Sequence, residues 1–174
     1  MNRQNISKKT RMIREIFHDN RKIAYEIPTE QIKIDENNYQ GGELFKTEDD
    51  EFINLDIQTT DFDEKEITKY IEFAEALYEK HHKHVSIYII CPKNINITVK
   101  ECEILSEASF TIKLAKIDED MCETILNMIK SKVMNGEEIS EDDIFLLARL
   151  PLKCEKEKRN YYREEYFKII NKIF

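Results

Sequence analysis

"ELFKTEDDEFINLDIQ", residues 43–58, decides how this chain folds. Two apolar-containing runs flank Glu48-Asp49-Asp50, a polar turn, and the spacing predicts a β-hairpin. The second run alternates. Leu55 and Ile57 share one face of the strand, and Asp56 and Gln58 share the other. A strand that reads as core yet turns a carboxylate and a carboxamide the same way predicts a polar site on that face.

Downstream of the hairpin, Thr59 to Asp63 supplies N-cap candidates, and Glu64 and Glu66 suit the positive end of a helix. That helix is predicted to run to about His82, because Ile67, Tyr70, Ile71, Ala74, Leu77 and Tyr78 form one apolar stripe. "VSIYIIC" (85–91) is nearly all apolar, which predicts a strand covered on both faces and ended by Pro92. Strand, helix and strand together predict a right-handed parallel crossover. "NINITVK" (94–100) reads as a second, shorter strand, and "FTIKLAKI" (110–117) alternates cleanly.

From Asp118 onward the pattern is helical. Met121, Ile125, Met128, Ile129 and Val133 make one stripe, stopped by Asn135-Gly136. "SEDDIFLLARL" (140–150) opens on Ser140 and Asp143, a capping-box-like pair, and is closed by Pro151. Residues 155–174 form a last helix rich in aromatics and charge. Upstream of the hairpin, Met12, Ile13, Ile16 and Phe17 predict a short amphipathic helix over 7–22. Residues 23–34 read as extended, with Pro28 marking an edge or a break, and 35–42 as a loop. The expectation is one domain over 1–174: an α/β core over about 7–117 and a helical C-terminal extension over about 118–174.

The composition agrees with such a domain. The chain has 174 residues, 41% of them apolar and 36% charged, with only three Gly and three Pro, which favours long regular elements and short loops. Cys91, Cys102, Cys122 and Cys154 form no CxxC pair, so they read as reduced core residues and not as a zinc site. No run approaches 18 apolar residues, so no membrane span is expected, and the polar, basic first 23 residues do not read as a leader; a cytoplasmic protein is expected. The net charge of −8 argues against nonspecific nucleic-acid binding. Its distribution is uneven: +5 over residues 1–23, +3 over 153–174, and −16 between. Basic ends around an acidic centre suit a metal site approached by a basic rim, and suit a solvated surface equally well.

Phosphodiester hydrolysis assisted by a divalent metal needs carboxylates to hold the ion and a polar group to orient the attacking water. A hairpin supplies these economically, with one acid on its first strand and two polar residues at i and i+2 on its second. Asp56 and Gln58 meet the second requirement, although acid-x-polar spacing by itself is common at sheet edges.

The order of elements adds to the residues. The stretch "GGELFKTEDDEFINLDIQTTDFDEKEITKYIEFAEALYEKHHKHVSIYIICP" (41–92) resembles the PD-(D/E)XK nuclease superfamily, and within it the recombination-promoting nuclease/putative transposase family. Members carry a hairpin ending in an acid-x-Gln motif, a long helix with a Tyr in its first turns, and an apolar strand. "NLDIQTT" (54–60) looks like that motif with Asp56 in place of the more usual Glu, and "KYIEFAEALY" (69–78) looks like the helix. "GEEISEDDIFLLARLPL" (136–152) is similar to the helical region that follows the core, so the likeness spans roughly residues 40–152.

The resemblance implies a restriction-endonuclease-like core, a central mixed β-sheet flanked by helices, and DNA cleavage with Mg2+ (or Mn2+). Asp56 matches the second metal-binding acid, and Gln58 stands where the superfamily's Lys usually sits. The first acid is expected as an Asp near Gly42–Glu43, where this chain offers Glu43. Glu43 and Asp56 are therefore the expected metal ligands, and Glu43, Asp56 and Gln58 the expected catalytic set. The alternative is a catalytically inactive fold of the same descent, serving as a DNA-binding or protein-interaction module.

The remaining candidates divide between chemistry and structure. Lys65 and Lys69 are candidate phosphate contacts, and also suit a solvated helix face. Tyr70 lies on the apolar stripe, where core packing is its expected role. His81, His82 and His84 fall at a helix end, where cations suit the dipole, and are not expected to bind metal. Tyr161, Tyr162, Tyr166 and Phe167 sit among basic residues; they read as helix core or the face of a homodimer before they read as base-stacking groups.

Overall fold

The computed structural model describes residues 3–28, 31, 32, 34, 41–99 and 104–173. The chain divides into two compact units, Met1–Asp118 and Glu119–Phe174.

The first unit is an α/β layer structure on a six-stranded mixed sheet. Helix α1 (Arg3–Phe17) is followed by β1 (Ile23–Ile27), β2 (Glu43–Thr47) and β3 (Phe52–Ile57). Helix α2 (Glu64–His81), then β4 (Val85–Pro92), β5 (Ile104–Ser106) and β6 (Phe110–Ile117) complete it. The sheet order is β1-β2-β3-β4-β6-β5. β2 and β3 form the predicted hairpin, β3 and β4 run parallel through the crossover that α2 makes, and β6 lies parallel to β4 on its other side. Every residue of β4 is buried, as its near-continuous apolar run predicts for a strand covered on both faces.

The register assigns the two faces. Glu43 is opposite Leu55, Phe45 opposite Ile53, and Leu55 beside Tyr88, and cross-strand partners project to the same side. Phe45, Ile53, Leu55, Tyr88 and Ile90 meet Ile13 and Phe17 of α1 in one buried cluster, with the Phe17 and Tyr88 rings stacked at 4.5 Å. Asn54 and Asp56 point the other way, to the face that α2 covers with Tyr70, Phe73, Ala74 and Leu77. Asp63 caps α2, its side chain accepting from the N–H groups of Lys65 and Glu66, and His82 closes the helix in the left-handed region with φ 53.

The structure corrects four sequence expectations. Helix α1 stops at Phe17, before the predicted 22. Beyond it Asp19 accepts from the backbone and guanidinium of Arg21, and Arg21 also reaches Glu51 and Ser86, so side-chain bonds replace further helical ones. Burial works to raise the Asp19 carboxyl, but hydrogen bonds from Arg21 and Tyr88 outweigh it and hold it at about 2. Residues 94–99 are not a strand: Ile97 makes one isolated parallel bridge to Phe62, and a lone partner residue offers no edge to extend. β5 was not expected. Pro151 does not end its helix, as described below. Of the predicted loop 35–42, only 41 and 42 lie within the described residues.

The second unit is three helices: α3 (Met121–Asn135), α4 (Glu141–Lys153) and α5 (Arg159–Ile173), with a 3-10 turn at Lys156–Lys158 before the last. Gly136 takes the left-handed C-cap of α3 at φ 67. Ser140 and Asp143 form a true capping box, and Asp143 also receives both hydrogen bonds of Lys132 Nζ at 2.9 Å. α4 runs through Pro151 to Lys153, because a proline in the last turn forfeits only its own N–H while Cys154 N–H still reaches Leu150 O at 3.0 Å.

Cys91 and Cys122 are buried, as expected of core cysteines, whereas Cys154 is only half-buried; burial pushes the Cys122 thiol up to about 11, and Cys102 lies outside the described residues. Among the described residues, no helix is long and apolar enough to cross a membrane.

Candidate functional site

Three polar residues occupy alternate positions at the end of β3 and just past it: Asn54, Asp56 and Gln58. Asn54 and Gln58 are buried and Asp56 is partly buried, which makes a polar stripe inside a core strand. Tyr70, in the second turn of α2 and 1% exposed, reaches this stripe with its hydroxyl. Tyr70 Oη donates to Asp56 Oδ2 at 2.6 Å, and Gln58 Oε1 is a more distant acceptor at 3.3 Å. Asp56 Oδ1 accepts from the Ile57 N–H at 2.8 Å, and Gln58 Nε2 donates to Thr60 Oγ1 at 3.1 Å. Tyr70 is thus both core, as its place on the apolar stripe predicts, and part of the site. The ring is buried, and the hydroxyl satisfies a carboxylate.

The net effect on Asp56 is a carboxyl held above its ordinary range. Burial is the main cause, the bonds from Tyr70 and the Ile57 N–H offset part of it, and the charges of Glu43 and Glu66 push the same way as burial.

Glu43 does not share that face. Its register with Leu55 turns it toward α1, where Lys9 Nζ lies 3.0 Å from Oε2. That contact is an ion pair off the line of a hydrogen bond, so the buried Oε2 has no hydrogen-bond donor among the described residues. The residue of β2's entry that does face Asp56 is Gly42. A Cβ built there would lie 2.9 Å from Asp56 Cβ and 2.7 Å from Leu55 O, and the backbone is left-handed at φ 77. Glycine is required on both counts. Gly41 closes the approach by accepting from Asn54 Nδ2 at 3.0 Å, while Asn54 Oδ1 is buried without a partner among the described residues.

The expected residues therefore separate. Asp56 and Gln58 come together with Tyr70, whereas Glu43 is within electrostatic reach of Asp56 but leaves the sheet on the other side. Lys65 and Lys69 lie exposed on the first turns of α2, and Lys69 Nζ is paired with Glu66 Oε1 at 2.5 Å. His81, His82 and His84 do not gather: His81 tilts against Phe52 at 5.0 Å, His82 caps α2, and His84 lies 3.2 Å from Thr111 Oγ1.

A divalent metal of the magnesium type wants several oxygens in near-octahedral array. The described residues include no group of three or more His, Cys, Asp or Glu side chains that could hold a metal ion. At the hairpin one carboxylate is present on the site's face, both its oxygens are engaged, and the place for a second is filled by the Gly42 backbone. These side chains do not fit a two-carboxylate metal seat.

Sequence reasoning missed Asn54, Lys9 and Glu66. Asn54 was legible in the i, i+2, i+4 spacing with Asp56 and Gln58. Lys9 carried no signal, because its pairing depends on where α1 crosses the hairpin. Comparison with family models, with curated proteins and with solved structures gave no match.

Proposed function

We propose that this chain is a PD-(D/E)XK-type protein that has lost its metal-dependent phosphodiesterase chemistry and acts by binding, with DNA as the retained partner. The observation that carries the reading is the glycine opposite Asp56. Hydrolysis of this type needs carboxylates that converge on one ion, and Gly42 offers none and has no room for one. The restriction-endonuclease-like descent is supported by the helix, hairpin, long helix and parallel strand in that order, and by the acid-x-Gln pair beneath a tyrosine of the long helix. On this reading Asp56, Gln58 and Tyr70 fasten the hairpin to α2, and the exposed Lys65 and Lys69 contact phosphates.

Plasmid nicking and metal calorimetry test the loss of chemistry. With Mg2+ or Mn2+ the wild type is expected to cut no faster than Asp56→Ala and to release no binding heat that this variant lacks. Metal-dependent cleavage abolished by Asp56→Ala overturns the reading and makes the chain a Mg2+-dependent deoxyribonuclease served by Glu43, Asp56 and Gln58. Fluorescence anisotropy with a DNA duplex tests the partner. Lys65→Ala with Lys69→Ala is expected to weaken binding and lower the salt slope by about 2. Absence of binding at low salt removes DNA as the partner.

A further inference from the structure

The sheet face opposite Asp56 carries a second polar site. Helix α1 covers that face only in part, and beyond Phe17 a cavity of about 370 Å³ opens over β4 and β6. Register makes its floor. Ser86 lies beside Thr111 and Tyr88 beside Lys113, all on the side that carries Leu55. Asp19 and Arg21 line it from the segment between α1 and β1, and the exposed His18 and Asn20 form its rim.

Most of the cavity's acceptors are already engaged. The Arg21 guanidinium donates to both oxygens of Asp19, to Glu51 Oε2 at 2.7 Å and to Ser86 Oγ at 2.7 Å. Tyr88 Oη donates to Asp19 Oδ2 at 2.6 Å, and burial with that bond pushes its hydroxyl up to about 12, so the proton stays. Donors are left over. Ser86 is 3% exposed and accepts from Arg21, so its own hydroxyl proton has no acceptor among the described residues. The half-buried Lys113 has neither an ion pair nor a hydrogen bond among them, and its ammonium stands 5.9 Å over the Tyr88 ring. Buried donors without acceptors are unfavourable, and a partly desolvated ammonium calls for an anion. His84, with Nε2 3.2 Å from Thr111 Oγ1, brings an imidazole to the same floor.

We propose that this cavity binds a tetrahedral oxyanion, the phosphate group of a phosphomonoester, held by Lys113, Ser86 and the Thr111–His84 pair. Arg21 decides between anions. Its planar fork, the favoured bidentate seat for a carboxylate, is occupied by Asp19. What remains are point donors on two neighbouring strands about 5 Å apart, which suit a tetrahedral group. Glu51, 34% exposed, is the carboxylate with an oxygen to spare; Arg21 links it to Ser86 from the β3 side, and water screens its charge. The volume is that of a small-molecule site and leaves room for the esterified group. The site is separate from Lys65 and Lys69 and stands without the DNA reading. A small metabolite and the end of a DNA strand both offer this phosphate.

Amide NMR of the full chain, titrated with inorganic phosphate at constant ionic strength, tests the site. Saturable shifts at Ser86, Tyr88, Thr111 and Lys113 are expected, with a Kd of about 1 mM or tighter. Lys113→Met is expected to weaken binding at least about tenfold. Lys116→Met, which removes an exposed lysine on the other face of the same strand, should change it less than about twofold. The spectra also show that both variants are folded. Absence of saturation overturns the proposal, and so does equal weakening by the two variants, which reduces the effect to net charge. Glycerol phosphate, and DNA duplexes ended by phosphate or by hydroxyl, then separate the sources. A preference for phosphate-ended DNA that Lys113→Met abolishes upholds the site and assigns it a DNA end. Binding of glycerol phosphate without that preference upholds it and assigns a small molecule. If neither ester binds, the phosphomonoester is overturned.

Discussion

Asp56 is a carboxylate placed where ionisation is disfavoured. Its pKa is raised in the folded chain, so the fold binds a proton there more tightly than the unfolded chain does. Stability contributed at this residue is therefore greatest below the carboxylate range and falls as pH rises through it. An asparagine at this position removes the ionisation and can still satisfy its neighbours. Its oxygen accepts from the Ile57 N–H, its amide donates to Tyr70 Oη, and Tyr70 then donates to Gln58 Oε1. Asp56→Asn is expected to raise the melting temperature by roughly 2–4 °C at pH 8, with the gain shrinking toward zero near about pH 3. Thermal melts at the two pH values check this, and an equal effect at both would assign Asp56 a role independent of its charge.

Among the elements, α4 depends most visibly on one side chain. Asp143 is 4% exposed and carries the capping box with Ser140 and both bonds from Lys132. Burial works to raise its carboxyl, but Lys132 and Ser140 outweigh that and hold it below its usual range. Its contribution is thus fully present above the unfolded carboxylate range and is lost as pH falls through the folded value. Asp143→Ala removes the reciprocal half of the capping box, the bond from the Ser140 N–H, and leaves Lys132 without this partner, at an expected cost of about 2 kcal/mol near neutral pH. Denaturant titration followed by helical circular dichroism reads this directly, and the difference from wild type should narrow in acid.

Across the whole molecule, each compact unit has its own apolar interior. Ile53 is fully buried in the sheet unit and Ile129 fully buried in the helical one. Either change to Ala removes a filled volume and is expected to cost about 2–5 kcal/mol. With separate cores, Ile53→Ala should speed amide exchange first in β2, β3 and β4, and Ile129→Ala first in α3, α4 and α5. Exchange that rises everywhere in both variants would mean that the two units unfold as one.

Periodicity determined most of the elements. The hairpin, α2, the buried β4, alternating β6 and the capping box of α4 were all legible because each depends on residues near each other in sequence. "NINITVK" reads as a strand and did not become one, because a strand also needs an edge to pair with, and among the described residues its pairing is one isolated bridge to Phe62. The candidate site divides in the same way. That Asp56 and Gln58 share a face follows from their spacing. That Tyr70 caps them, that Glu43 turns away and that Gly42 faces Asp56 follow from register, and a slip of one residue would exchange every one of those neighbours. Spacing along one strand is written in the sequence, whereas the residue that faces it across the hairpin is chosen by the packing of both sheet faces at once.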